Sequence, residues 1–332
     1  MNDIQQSLPW LQTSWTQLRN YISQNRLPQA LLIVGNKGLG KRQLAEIFAQ
    51  TLLCTSPLPD ARACGKCQSC TLFNAQTHPD YIVIEPEEEG KVIGISVIRQ
   101  LTSRLELKPQ FESHRVVIID PADSLTNASA NAFLKYLEEP TERTCLILIT
   151  DKPATLPATI TSRCQKLQLS EPDETVVKTW LKQQGILENI DLLCMLSQGA
   201  PLLAIRFADN STVELRTECF NKWSKLSQSE ESLISTAEEW QKLGKADIDL
   251  LLFWLTTWVM DIIKLKYKQE PITIVNQDLI INLQEMADKL DLKGLYSYYD
   301  LLLLSRQRFG TQLNKQLMFE EILILWTKLN SR

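Results

Sequence analysis

Leu31-Leu32-Ile33-Val34-Gly35-Asn36-Lys37-Gly38-Leu39-Gly40-Lys41-Arg42 is the stretch whose reading decides the fold. An apolar run of strand length enters a glycine-rich loop, and residues 43–53 continue with apolar side chains at helical spacing. Strand, loop and helix N-terminus together make a cradle for phosphate, because backbone N–H groups and the positive end of the helix converge on one anion. Gly35, Gly40 and Lys41 keep the spacing G-x-x-x-x-G-K, with Gly38 inside the loop. The next residue should be Ser or Thr, whose hydroxyl holds magnesium. It is Arg42. A cation therefore stands where a metal ion is needed, and the expected nucleotide site is a degenerate one, formed by Gly35, Gly38, Gly40, Lys41, Arg42 and, further along, Asp120.

Four more apolar runs of strand length follow, at 81–84, 116–119, 145–149 and 165–169, alternating with helical patterns. This alternation predicts an α/β domain with a parallel sheet covered on both faces and a ligand crevice at the C-terminal ends of the strands. Gly40, Lys41, Asp120 and Thr150 all fall at that edge. Asp120 closes the third run, as the carboxylate that orients magnesium does in phosphate-loop proteins. Hydrolysing proteins of that kind usually place a glutamate next to activate water; here Pro121 can neither accept a proton nor position one. Ahead of the first strand, residues 10–27 predict an amphipathic helix, with Trp10, Leu11, Trp15, Leu18 and Ile22 on one face and Pro28 ending it. Ser96 is the expected N-cap of a helix through Ile98, Leu101 and Leu105, and Glu85 to Glu89 reads as a solvated acidic turn.

Cys54, Cys64, Cys67 and Cys70 form a C-x9-C-x2-C-x2-C array. Two-residue spacers let tight turns present pairs of sulfurs to one ion, so four thiols in this pattern predict a tetrahedral Zn2+ site. Four sulfurs close the coordination shell, which makes the expected role structural rather than catalytic. With only two histidines, His78 and His114, histidine-based acid–base chemistry has little material.

Composition sets further bounds. At 332 residues, 44% hydrophobic and 22% charged, the chain suits two or three ordinary globular domains. A net charge of −4 gives no global basic field and argues against tight unaided binding to nucleic acid. Residues 1–10 lack the apolar stretch of a signal peptide, and 250–259 is too short to span a bilayer. A cytoplasmic protein without membrane contact is expected, its eight cysteines reduced or metal-bound. After Ser170 the pattern turns helical almost to the end. The expected division is 1–168 for the phosphate-loop domain with the zinc module inserted at 54–70, 169–208 for a small helical lid, and 209–332 for an all-helical domain.

GNKGLGKR, the four-cysteine module, HPDY, VVIIDPADSLTNASANAFLKYLEEP and SRC, in that order, resemble the delta-prime family of the bacterial DNA polymerase III clamp loader. The motifs cover residues 28–167, while domain order and length agree over the whole chain. The resemblance implies an AAA+ domain, a lid and a C-terminal collar that assembles into a ring with one delta and three gamma/tau subunits, which places the sliding clamp on primed DNA. It also implies a stator that does not hydrolyse ATP, although it belongs to the DNA-directed DNA polymerase assembly. Leu202, in Gly199-Ala200-Pro201-Leu202-Leu203-Ala204, stands where active relatives carry a phosphate-sensing arginine. Arg163, the arginine of SRC, is implied to reach into the ATP site of the neighbouring gamma/tau subunit, with Ser162 and Cys164 shaping its turn. Lys41 leaves two readings open, weak ATP binding and a salt-bridged relic, of which the second is favoured. An autonomous phosphate-loop ATPase and a zinc-dependent nucleic-acid-binding module are the alternatives.

Overall fold

Five apolar runs become the strands β1 (Ala30–Val34), β2 (Tyr81–Ile84), β3 (Arg115–Ile119), β4 (Thr144–Thr150) and β5 (Gln165–Gln168). They pair in the order β2-β3-β4-β1-β5, every pair parallel, with Leu32 opposite Leu148 and Val117 opposite Leu146. All residues of β1, β3 and β4 are buried, as befits central strands covered on both faces. At the edge, β5 buries only Leu167 of its four residues. The computed structural model describes residues 8–88, 91–111, 113–139, 141–208, 210–226, 232–267, 274–309 and 314–331.

Helices α1 (Gln12–Ser23), α2 (Lys41–Leu53), α3 (Gln68–Asn74), α4 (Ile95–Leu105), α5 (Asn127–Glu138) and α6 (Ala158–Thr161) accompany the strands. On one face, Leu32, Val117, Ile119, Leu146 and Leu148 share a core with Ile98 and Leu101 of α4, Phe133 and Leu137 of α5, and Ile160 of α6. Each such side chain contributes roughly 1.5–3 kcal/mol by leaving water. Helix α2 packs against β1, β3 and β4 and buries Leu44, Phe48 and Leu52.

Two local expectations change. The first helix was expected to run to 27 but stops at Ser23: Asn25 takes a left-handed φ of 52°, and the Arg26 amide turns back to the carbonyl of Tyr21 at 3.0 Å. Ser96 is not the cap of α4, which starts at Ile95 behind an extended Gly94 that offers no side chain.

The chain divides into two compact units, Met1–Val177 with Ala200–Leu203, and Lys178–Gly199 with Ala204–Arg332. The remaining helices are α7 (Glu174–Gln183), α8 (Ile190–Leu196), α9 (Pro201–Phe207), α10 (Asn210–Leu226), α11 (Leu233–Gln241), α12 (Lys245–Tyr267), α13 (Ile280–Lys289), α14 (Leu292–Arg308) and α15 (Lys315–Asn330). The second unit contains no strand among its described residues. Its core runs along α12, where Leu251, Leu255, Trp258 and Ile262 are buried. Trp223 and Trp326 stack with ring centres 3.9 Å apart, and the Trp326 indole donates to the Trp223 carbonyl at 2.9 Å. Thr256 and Thr257, the polar break in this apolar run, donate back to the carbonyls of Leu252 and Trp254. Among the described residues no single helix is long and apolar enough to cross a membrane.

Candidate nucleotide, metal and arginine sites

Gly35, Gly38, Gly40, Lys41, Arg42 and Asp120 do come together at the C-terminal edge of the sheet. The phosphate loop leaves β1 and enters α2 through Gly40, whose φ of 88° only glycine adopts without strain. Lys41 is the first residue of α2 and is buried, 6% exposed. Its Nζ turns back to the loop, donating to the carbonyls of Gly35 at 2.7 Å and Asn36 at 2.8 Å, and pairs with Asp151 at 2.5 Å. An ammonium has three N–H donors. Two of them go to loop carbonyls, and the charge is met by the Asp151 carboxylate.

Arg42 occupies the place of the magnesium hydroxyl and is surrounded by carboxylates. Its Nε meets Glu46 at 2.7 Å, while its Nη1 meets Glu85 at 2.7 Å and Asp120 at 3.2 Å. Burial lowers the guanidinium's proton affinity, but the hydrogen bonds to Glu46 and Glu85 outweigh it and hold its pKa above the ordinary arginine value. Burial pushes the Asp120 carboxyl above its usual range, and Arg42 offsets only part of that rise. The carboxylate expected to orient magnesium is thus taken by an arginine of the same chain. Nearby, Thr150 at the end of β4 donates to Asp123 at 2.7 Å.

Glu85, in the turn expected to be acidic and solvated, is exposed and also pairs with Arg42, which adds it to this cluster. Glu46, Glu85 and Asp151 were not singled out from the sequence. Glu46 was legible as the i+4 partner of Arg42 on one helix face. Glu85 and Asp151 directly follow β2 and β4, which brings them to the edge where β1 delivers the loop.

The loop is also covered. The Leu202 amide donates to the Gly38 carbonyl at 3.1 Å. Gly38, at φ 87°, lies so close that an added Cβ would stand 2.8 Å from Cβ of Leu203 and 2.9 Å from its amide nitrogen. Asn36 donates to Glu171 at 2.6 Å, and the Trp10 indole donates to the Leu39 carbonyl at 2.8 Å. Leu202, which replaces a phosphate-sensing arginine in the expected pattern, therefore contributes a backbone strap to the loop.

Arg163 belongs to a different constellation, two residues beyond α6. Its Nε donates to Glu138 Oε1 at 2.8 Å, its Nη2 pairs with the same oxygen, and its Nη1 donates to the Thr159 carbonyl at 2.9 Å. The side chain is 35% exposed. Cys164 packs against the core cluster, and burial pushes its thiol up to about 11, so it anchors the turn as an inert apolar group. Ser162 reaches the Thr159 carbonyl only at 3.4 Å.

The four cysteines converge. Sulfurs of Cys54, Cys64, Cys67 and Cys70 all lie within 4.8 Å of one another, and the Cys54–Cys67 separation is 3.9 Å. Four Zn–S bonds of about 2.3 Å set tetrahedrally require sulfurs about 3.8 Å apart, so the donor set fits zinc. Amides of Cys64, Cys67 and Cys70 donate to sulfurs of Cys54, Cys64 and Cys67 at 3.3, 3.3 and 3.4 Å. Burial opposes ionisation of Cys67, yet hydrogen bonds from Thr55 and the Cys70 amide prevail and bring its thiol down to about 5. Burial, with Cys67 beside it, pushes the Cys70 thiol above its ordinary value. His78 is buried beside the module without being a ligand candidate. Its Nδ1 accepts from the Asp80 amide at 3.1 Å, so Nε2 carries the proton and donates to Ser69 at 2.9 Å; Ser69 in turn donates to the Leu53 carbonyl at 2.6 Å.

Comparison with known proteins completes the picture. The family model described as DNA polymerase III, delta subunit matches residues 10–173, and that described as DNA polymerase III, delta subunit, C terminal matches 211–328. The DNA polymerase III subunit delta' of Pseudomonas aeruginosa is 34% identical over 328 residues, covering 97% of either chain. Its counterpart from Escherichia coli is 30% identical over 95% of this chain and 94% of its own length. The DNA polymerase III subunit tau/gamma of Haemophilus influenzae is 36% identical across 53% of this chain and 25% of its own. With a phosphate-loop sheet, a four-cysteine module and near-full-length similarity of this kind, the chain belongs to the delta-prime subunit family of bacterial DNA polymerase III.

Proposed function

We propose that this chain is the non-hydrolysing member of the clamp loader, a stator whose own nucleotide site is disarmed and whose Arg163 completes the ATP site of an adjacent gamma/tau subunit. The observation that carries the first half is the state of the phosphate loop, where Lys41 is bound by Gly35, Asn36 and Asp151 and Arg42 by Glu46, Glu85 and Asp120. ATP would have to displace a lysine held by three acceptors and a strap on Gly38, and it would find no magnesium hydroxyl and, at Pro121, no base. The favoured reading of Lys41 is accordingly a salt-bridged relic.

The second half rests on the place of Arg163 in SRC and on its position at a partly exposed turn. A guanidinium fixed beside a neighbour's triphosphate meets negative charge that grows in the transition state, an effect worth about 10³–10⁵ in rate. The zinc-fitting cysteines Cys54, Cys64, Cys67 and Cys70 supply structure only. In this reading the division stays 1–168, 169–208 and 209–332, the last serving as the collar that joins delta and gamma/tau in a cytoplasmic ring acting on the sliding clamp and primed DNA.

The test is a burst experiment that counts ATP hydrolysed per reconstituted ring. Arg163→Ala should leave the chain folded and assembled while silencing the one site that faces it, slowing that site by about 10³–10⁵. A full burst at the wild-type rate would refute the assignment.

A further inference from the structure

Glu138 is the last residue of α5, and Arg163 lies just beyond α6, 25 residues later. Their juxtaposition is not a chance meeting of surface side chains, because the residues beside them are anchored together. Leu137, preceding Glu138, and Ile160, within the Thr159-to-Arg163 turn, are both buried in the same apolar cluster. The Arg163 amide donates to the Ile160 carbonyl at 3.1 Å, and Cys164 packs on that cluster from the other side of the arginine. The backbone that carries the guanidinium is therefore fixed on both flanks.

The guanidinium itself is held along part of its edge. Of the five N–H donors of an arginine, Nε donates to Glu138 and one on Nη1 to the Thr159 carbonyl, while Nη2 meets the same Glu138 oxygen as an ion pair. Among the described residues the other two N–H groups, one on each terminal nitrogen, have no acceptor. A long side chain left to itself would sample many rotamers, and ordering it at the moment of reaction costs entropy. Here the ordering is already done, with donors left over that suit an oxygen-rich anion.

We propose that Glu138 is the positioning residue for Arg163: it holds the guanidinium by one edge so that the two remaining N–H groups meet the polyphosphate of a nucleoside triphosphate bound to the neighbouring subunit. The proposal rests on the reading of Arg163 given above. Glu138 touches no substrate and acts only through the arginine.

The experiment uses the reconstituted ring and follows both the burst at the site facing this chain and the ring's affinity for ATP. Glu138→Ala should slow that site roughly 10–100-fold, the scale expected when a catalytic group is displaced by about an ångström. ATP affinity should be unchanged, since the contact matters in the transition state. Glu138→Gln keeps an oxygen acceptor for Nε and should recover most of the rate. Added to Arg163→Ala, the Glu138→Ala change should cost nothing more. Wild-type or faster hydrolysis in Glu138→Ala would overturn the proposal, as would a loss that persists in the Arg163→Ala background. A full burst from Arg163→Ala alone would instead overturn the reading beneath it, so the two failures are distinguishable.

Discussion

The phosphate loop and the four-cysteine cluster start as equals, two ligand-binding motifs with their spacing preserved. In the folded chain they differ in where their donors go. Lys41 and Arg42 make six contacts within 3.2 Å to carbonyls and carboxylates around the loop. The four sulfurs face one another, at separations that match a tetrahedral ion. A motif's spacing tells what a loop was shaped to hold; the partners its side chains have acquired tell what a ligand would have to displace. Arg163 lies between these extremes, anchored on part of its edge and open on the rest.

The largest effect should come from the metal. Binding energies of about 10–16 kcal/mol for structural zinc peptides far exceed what residues 54–70 can gain from a core of their own. Metal analysis should give one zinc per chain, and removing it with a chelator should expose residues 54–74 to proteolysis while the sheet stays protected. A chain that resists protease equally without metal would erase the contrast between the two motifs.

Next in size is Arg42→Ala. It leaves Glu46, Glu85 and Asp120 facing one another without a cation. Breaking a fully buried pair costs about 3–5 kcal/mol, and with Arg42 27% exposed the expectation reduces to about 1–2 kcal/mol. Urea unfolding measures it, and unchanged stability would mean that this cluster does not hold the loop closed. Arg42→Ser should lose similar stability and, on the proposed reading of Pro121 and Leu202, gain no ATP turnover.

A smaller effect is expected from pH. Burial holds the imidazoles of His78 and His114 below their ordinary value. Both fold in the neutral form, so their contribution is complete above the unfolded value of about 6.5 and is lost as pH falls through the depressed folded values. The urea midpoint should therefore decline below about pH 6.5. Replacing His78 by Gln, which keeps a donor toward Ser69, should flatten part of that slope. An identical slope in the variant would show that His78 contributes nothing to this pH dependence.

Much of this was legible in the chain. Central strands read as unbroken apolar runs because both faces of a parallel sheet are covered, and β1, β3 and β4 are buried throughout. The cysteine cluster was legible because its spacing is local. Of the partners of Lys41, Arg42 and Arg163, only Asp120, expected at the same strand edge, and Glu46, on the same helix face, were legible. Asp151, Glu85 and Glu138 are 110, 43 and 25 residues from the cations they meet, and only the fold brings them together. The stop of α1 at Ser23 depended on a left-handed Asn25, a backbone choice that hydrophobic periodicity does not register.

The central claim is that this phosphate loop is closed by its own chain and performs no chemistry. Steady-state hydrolysis of ATP by the purified chain with magnesium tests it most directly. The account predicts turnover indistinguishable from buffer; turnover that disappears in Lys41→Ala would contradict it.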